Sequence, residues 1–410
     1  MKKQLLLLGI IILNGILSAQ TVQKTMNNLP DTGQSNSYTT TFGEDNDYNI
    51  NVPSFTNNSN GTITDNVTGL MWQQGDSGEL TFENGILYCD NLVLGGFSDW
   101  RLPTKEESMS ILNLDRNNPA LNTTYFPNTT AGYWWSATVL YNNANAIWVT
   151  NAGGGTGPKL KTETISAGGT FKYHARAVRD TAMPTAVTNF SDNNDGTITD
   201  NVTGLMWQKS PATTTFTWEQ ALAFAENLTE ASYTDWRLPN IKELVSINSE
   251  TTNVPSINTT FFPTVAATRY WSSTTQFAPG STSAWFNDFQ NAGITSHDLK
   301  TVPHPIICVR GVPSLKIAEF EIFKNNFKIS SPFTNQIEIT AANDVNDVTI
   351  ILYDLFGREL QQWRSITCTA NQKSILTVKT PLSDALYVVT IQGSNVKYST
   401  KILHASTFSK

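Results

Sequence analysis

The stretch GTITDNVTGLMWQ, Gly61 to Gln73, returns letter for letter as Gly196 to Gln208, 135 positions later (196 minus 61). Outward from it the match continues. Asp99-Trp100-Arg101-Leu102-Pro103 returns as Asp235-Trp236-Arg237-Leu238-Pro239, and Tyr133-Trp134-Trp135-Ser136 returns as Tyr270-Trp271-Ser272. The chain therefore carries two copies of one domain of roughly 125 residues, an ordinary domain size.

Within each copy, Thr62-Ile63-Thr64 and Gly69 to Trp72 read as short strands flanking the turn formers Asp65-Asn66, with Asn60-Gly61 as an earlier hairpin turn. An amphipathic helix follows, with Phe82, Ile86, Leu87 and Leu92 on its apolar face, or Trp218, Leu222, Phe224 and Leu228. After Trp-Arg-Leu-Pro a second helix starts on a capping box, Thr104 with Glu107, or Asn240 with Glu243. Short aromatic strands complete the copy, and the mixture reads as α+β.

Lys2 and Lys3 before an apolar run from Leu5 to Leu17, closed by Ser18 and Ala19, read as a secretory signal peptide over residues 1–19. Nothing later is apolar for long enough to span a bilayer, so the mature chain is expected to have no transmembrane segment. Residues 20–54 read as an extended leader whose acidic cluster Glu44, Asp45 and Asp47 is expected to be solvated. The repeats are expected over 55–180 and 187–312. They carry 8 Lys+Arg against 11 Asp+Glu in 55–180, and 6 against 11 in 187–311. Two acidic copies exclude the basic surface that nucleic acid or a strongly sulfated polymer favours. Cys89, Cys308 and Cys368 are the only cysteines, too few for a disulfide scaffold.

Candidate sites follow from residue type and spacing. Ser191, Asn193, Asp195 and Gly196 have the spacing of a calcium loop, but Val202 stands where the bidentate Glu belongs, so Asn193 and Asp195 read better as turn formers than as metal ligands. Trp72, Trp100, Trp207 and Trp236 read as structural. Arg101 and Arg237 are expected to be structural too, each held by a carboxylate such as Asp99 or Asp235 with its stem on tryptophan. Trp148 and Trp285, in the loop-rich half, are the candidates for an exposed platform that stacks on a ligand, with core packing the alternative. His174, His297, His304 and His404 make no metal-spaced pair, and no nucleophile or phosphate-loop motif occurs. No cofactor and no catalytic residue are expected.

In order and twice over, these motifs resemble the Lcl C-terminal domain family, named for the end of the Legionella collagen-like protein and long catalogued as a domain of unknown function. The leader, Asp31-Thr32-Gly33-Gln34 through Gly43-Glu44-Asp45, looks like the segment that often precedes such domains. The resemblance implies a C-type-lectin-like fold, because Trp-Arg-Leu-Pro-Thr before a helix also looks like the matching motif of the formylglycine-generating sulfatase-modifying family. It also implies an extracellular binding role. Members look as if they pair the positions of Cys89 and Ala177, or Ala225 and Cys308; each copy here keeps one cysteine, so both thiols are expected to be free and buried.

Residues 320–404 resemble the C-terminal sorting domain of the type IX secretion system, on Pro332-Phe333, Tyr353 to Arg358, Tyr387 to Ile391 and Lys401-Ile402-Leu403. That resemblance implies an all-β sandwich, the secretion machinery as a partner, and a secreted or outer-surface location. The functional expectation is a non-catalytic, adhesin-like protein that recognises a glycan or other surface ligand. The rivals are a structural envelope or matrix protein and a divergent relative of the formylglycine-generating oxidases.

Overall fold

The structure, a computed structural model, describes residues 21–127, 129–162, 173–211, 214–278, 281–311, 314–315, 327–354, 358–393 and 396–406. The expected signal peptide, and Leu355 to Gly357 of the sorting-domain turn, lie outside the described residues.

The leader contributes β1 (Thr21–Lys24) and β2 (Tyr48–Asn49), with one 3-10 turn at Asp45–Asp47 between them. The first repeat runs β3 (Phe55–Asn57), β4 (Thr62–Asp65), β5 (Leu70–Gln73), α1 (Phe82–Asp90), α2 (Lys105–Ser110), β6 (Tyr133–Leu140), β7 (Asn143–Asn151), β8 (Thr156–Leu160), β9 (Tyr173–His174) and β10 (Val178–Asp180). Two sheets result, β10-β5-β4-β3 and β8-β7-β6-β9, and in the second β6 and β9 lie parallel. Trp72 shows why the anchor folds as it does: it is in register with Ile63 on one side and Val178 on the other, and all three are fully buried. Asp65 closes the turn by accepting the Val67 and Thr68 amides at 2.9 and 3.2 Å, and Gly69 reverses the chain at φ +75°, where a side chain is strained.

A linker strand, β11 (Thr185–Thr188), pairs antiparallel with β1. The second repeat runs β12 (Phe190–Asp192), β13 (Thr197–Asp200), β14 (Met206–Gln208), α3 (Trp218–Glu226), α4 (Ile241–Ser246), β15 (Arg269–Thr275), β16 (Ser283–Asp288), β17 (Ile294–Leu299) and β18 (Val309–Arg310). Its sheets are β12-β13-β14-β18 and β15-β16-β17, with Trp207 between Ile198 and Val309 as Trp72 lies between its partners. A short strand, β19 (Ser314–Leu315), pairs with β2 of the leader.

Both expected capping boxes form. Their glutamates do a second job that corrects one expectation. Arg101 is held by Glu107, at 2.7 and 2.8 Å, and by Asp180; Arg237 is held by Glu243 at 2.6 Å through both nitrogens. Asp99 and Asp235 instead clamp Arg179 and Arg310 at the surface. The capping boxes set the pairing: they hold the Glu107 and Glu243 carboxylates at the helix starts, against Arg101 and Arg237, while the exposed Asp99 and Asp235 meet Arg179 of β10 and Arg310 of β18.

The repeats dock on one another. Met109, Ile111, Leu112 and Leu114 of the first copy share one apolar cluster with Ile241, Val245 and Trp285 of the second. At the edge the Thr156 amide donates to Thr295 Oγ1 at 2.8 Å. Lys242, 3 % exposed, reaches across from α4 and donates at 2.8 Å to the carbonyls of Ser110, Leu112 and the leader residue Asp31. The acidic cluster of the leader is not solvated as a group. Glu44 and Asp45 are buried against the second repeat, because its strand end supplies the hydroxyl donors that a buried carboxylate needs.

The last unit packs β20 (Phe327–Ile329), β21 (Gln336–Ala341) and β24 (Lys373–Thr377) in one sheet; β22 (Val345–Tyr353), β23 (Glu359–Cys368), β25 (Ala385–Gly393) and β26 (Val396–His404) form the other. Ile337, Ile339 and Leu376 of the first meet Val348, Ile350, Val389 and Ile391 of the second in one core. The molecule as described is mostly β, in several sheets, with two short helices in each repeat.

The two arginine pairs differ in burial, and that sets their cost. Arg237 and Glu243 are both 2 % exposed, whereas Arg101 is 31 % exposed. Glu243→Gln keeps the cap acceptor but strands a buried guanidinium, so a loss of about 3–5 kcal/mol is expected. Glu107→Gln, whose arginine keeps Asp180 and water, is expected to lose about 1–3 kcal/mol. Denaturant unfolding of the two variants checks the order; equal losses contradict it.

Candidate functional site

Trp148 and Trp285 are not an exposed platform. Trp148 is 1 % exposed, with the Lys105 ammonium 4.4 Å from its ring centre, and Trp285 is 5 % exposed in the seam between the repeats, against Gly154 and Gly155. Each lies mid-strand, in β7 or β16, on the face covered by the second helix and the partner repeat, so neither can stack on an external ring. Trp72, Trp100, Trp207 and Trp236 are core residues. Asn193 donates to Thr197 and Thr199, and Asp195 accepts the Thr197 amide and hydroxyl, so both are occupied in shaping a turn. Among the described residues no cluster of three metal-ligating side chains occurs.

Cys89 and Cys308 are free and buried. Cys89 shares a core cluster with Ala177, and Cys308 shares one with Ala225. Burial pushes the Cys89 thiol up to about 12, with Asp90 adding to it, and raises Cys308 further.

The first copy hides polar groups that sequence reasoning passed over. Arg176 gives one nitrogen to the carbonyls of Gln73, Gln74 and Gly75. Its Nη2 faces Asp76 at 3.5 Å, and among the described residues its Nε, Trp72 Nε1 and Ser108 Oγ have no hydrogen-bond partner; these three residues lie on a cavity of about 10 Å³. The second copy places Leu244 and Ile307 at the positions of Ser108 and Arg176, a paired exchange of polar for apolar. Nearby, Asp76 accepts from Thr129 at 2.8 Å and faces His174 at 2.8 Å. Despite burial, His174, Arg176 and Thr129 hold its carboxyl well below the usual range.

The most developed polar site is where the leader lies on the second repeat. Asp45 accepts from Thr32 and Thr274 at 2.7 and 2.6 Å; Glu44 accepts from Thr275 at 2.6 Å and Gln34 at 2.8 Å; Gln34 in turn accepts the Thr275 amide. Further along, Thr39 donates to Glu219 at 2.7 Å, the Tyr48 hydroxyl donates to Glu226, and the Tyr48 ring lies 5.4 Å from the Arg237 guanidinium. Burial, then the charge of Asp31, raises Asp45 to about 8, with Thr274 and Thr32 opposing and Glu243 adding to the rise. Burial lowers Lys242 to about 8, against the pull of Asp31, Asp65 and Asp45.

The first repeat keeps the frame of this site; the leader touches it at Glu107, through Thr25, and leaves Ile86 and Val139 exposed. Position for position, Glu83, Asp90, Arg101, Thr138 and Lys161 stand where the second has Glu219, Glu226, Arg237, Thr274 and Lys300. Lys161 lies 5.1 Å from the Phe82 ring as Lys300 lies 3.8 Å from Trp218, and Thr138 and Thr274 each accept a helix amide at 3.0 Å.

The two shifted groups act on stability with opposite signs. A folded value above the ordinary 3.8 means that Asp45 stabilises fully below about pH 4, and that this contribution is lost as pH rises to about 8. Lys242, lowered, restores stability only above about pH 8, where the unfolded chain still holds its proton. Between pH 5 and 8 the unfolding midpoint is therefore expected to fall, and Asp45→Asn is expected to flatten that slope. Denaturation curves at several pH values check this; parallel slopes in both proteins contradict it.

Comparison with known proteins assigns the parts. Residues 61–179 and 196–310 each match the Lcl C-terminal domain, and residues 331–404 match the secretion system C-terminal sorting domain. The sorting domain marks the chain for type IX secretion and outer-surface attachment, with the secretion machinery as its partner. Among the described residues no helix is long and apolar enough to cross a membrane. No curated protein matches the chain. Among solved structures, a similarity extends to PorZ, described as an essential bacterial surface component of the type IX secretion system of Porphyromonas gingivalis. It has 9 % identity over 67 % of this chain and 30 % of that one, at a TM-score of 0.16, too low to bear on fold or function. The two domain matches cover more than half of the sequence, and on them the chain belongs to the Lcl C-terminal domain family.

Proposed function

We propose that this is a surface-displayed, non-catalytic binding protein, adhesin-like, that recognises a macromolecular ligand on the outer faces of a C-type-lectin-like scaffold. One observation carries the reading. In the first repeat Ile86, Leu87, Val93, Val139, Tyr141 and Leu160 are exposed large apolar residues, whereas the second exposes Val254 and Leu299. Two copies of one domain have diverged, and one keeps apolar surface that costs solubility, which is how interaction sites arise. The buried thiols, raised rather than lowered, offer no activated nucleophile and so support the non-catalytic reading.

A glycan or other surface ligand remains the proposed ligand class, and the contact is expected to be a surface one, since the two candidate stacking tryptophans lie in the core. A purely structural envelope role is the second reading, favoured by the fixed apolar seam between the repeats.

The test is binding of the exported chain to glycan and envelope-protein arrays, with calcium and with chelator. A hit that ignores the chelator and falls about tenfold on Leu87→Asp with Tyr141→Ser, in a protein whose circular dichroism is unchanged, is expected. A calcium-dependent hit, or one untouched by these substitutions, contradicts the proposal. Silence across both arrays favours the structural role.

A further inference from the structure

The two repeats present the same shoulder, built from one stripe of the first helix, the Arg of Trp-Arg-Leu-Pro and the end of the first strand of the second sheet. In the second repeat the stripe is Glu219, Leu222 and Glu226, spaced to lie on one face of α3. Leader residues 34–48 cross it, held at Glu219 by Thr39 and at Glu226 by Tyr48, and Leu222 between those contacts is fully buried. Thr275, at the strand end, is fully buried as well, beneath Gln34 and Glu44.

In the first repeat the stripe is Glu83, Ile86 and Asp90, and the strand end is Thr138-Val139. Ile86 is 37 % exposed and Val139 is 44 % exposed, against 0 % for Leu222 and Thr275. Among the described residues the frame is retained and its Ile86 and Val139 are left uncovered. The chain's own leader cannot provide it, because Lys242, which fixes Asp31, has Glu106 as its counterpart, and Thr275, which donates to Glu44, has Val139.

We infer that this shoulder of the first repeat docks an extended segment of another polypeptide, built like residues 34–48 of the leader but with an apolar residue in place of Glu44. The inference rests on the binding role proposed above and names its partner. An aromatic hydroxyl at the position of Tyr48 reaches Asp90 and lays its ring beside Arg101. An apolar side chain covers Val139, where a carboxylate would find no hydroxyl donor. The second repeat is the internal demonstration that the fold binds a segment of this kind, and the two exchanges, Lys242 to Glu106 and Thr275 to Val139, set which segment each repeat takes.

The test titrates two synthetic peptides into the exported full chain: residues 34–49 as they stand, and the same with Glu44→Val. The Glu44→Val peptide is expected to bind with one site per chain, about tenfold tighter than the native peptide. Ile86→Asp in the protein, an exposed position, is expected to abolish binding without altering the circular dichroism. No binding of either peptide, or binding indifferent to Ile86→Asp, overturns the inference. Binding that appears only after residues 163–172 are deleted assigns the shoulder to that segment of the same chain and overturns it too. If the peptides fail while the array ligand is still lost on Leu87→Asp with Tyr141→Ser, the binding role stands and only the partner is wrong.

Discussion

The Lys242 ammonium is the point on which the arrangement of the leader and both repeats depends. It is fully enclosed, and its three donors go to three backbone carbonyls, two from the first repeat and one from the leader. An unpaired charge at such depth is prohibitive. The ammonium is stable there only while α4, the loop after α2 and the leader are all in place, so one side chain makes three segments mutually conditional. Around it the apolar seam of Leu112, Ile241, Val245 and Trp285 supplies the non-directional part of the energy.

Duplication makes the divergence between the copies informative. Where the second copy is apolar inside, with Leu244 and Ile307, the first has Ser108 and Arg176 around a water-sized cavity. Where the second has an enclosed shoulder under the leader, the first leaves its shoulder exposed. The frame common to both is the arginine and the capping glutamate, a pair that joins the helix start to the strand before it. That pair belongs to the fold; the residues that differ around it carry whatever distinguishes the copies.

Much of this was legible in the sequence, for physical reasons. Thirteen repeated residues with strand alternation and Asp-Asn turns gave the anchor sheets, and the capping boxes gave the second helices, because both signals are local. The partner of Arg101 and Arg237 was misassigned because sequence proximity favoured Asp99 and Asp235, whereas the capping boxes bring Glu107 and Glu243, six residues on, against the guanidinium groups. Trp148 and Trp285 stayed open between platform and core because the contacts that bury them leave no periodic trace; only the fold shows that both are enclosed. The leader was misread for a related reason. Glu44 and Asp45 look solvated beside Asn and Thr, and the hydroxyls that make their burial tolerable, Thr274 and Thr275, lie 229 and 231 positions away in the chain. Lys242 left one faint signal, a lone lysine next to the apolar positions Ile241 and Leu244 of a short helix.

The central claim is that the leader and the two repeats form one interlocked unit. Amide hydrogen exchange of the exported chain tests it most directly. The account predicts that amides of leader residues 31 to 48 exchange as slowly as those of β4 and β13, because their release requires opening the junction at Lys242. Leader amides that exchange within seconds, while both repeats stay protected, would contradict it.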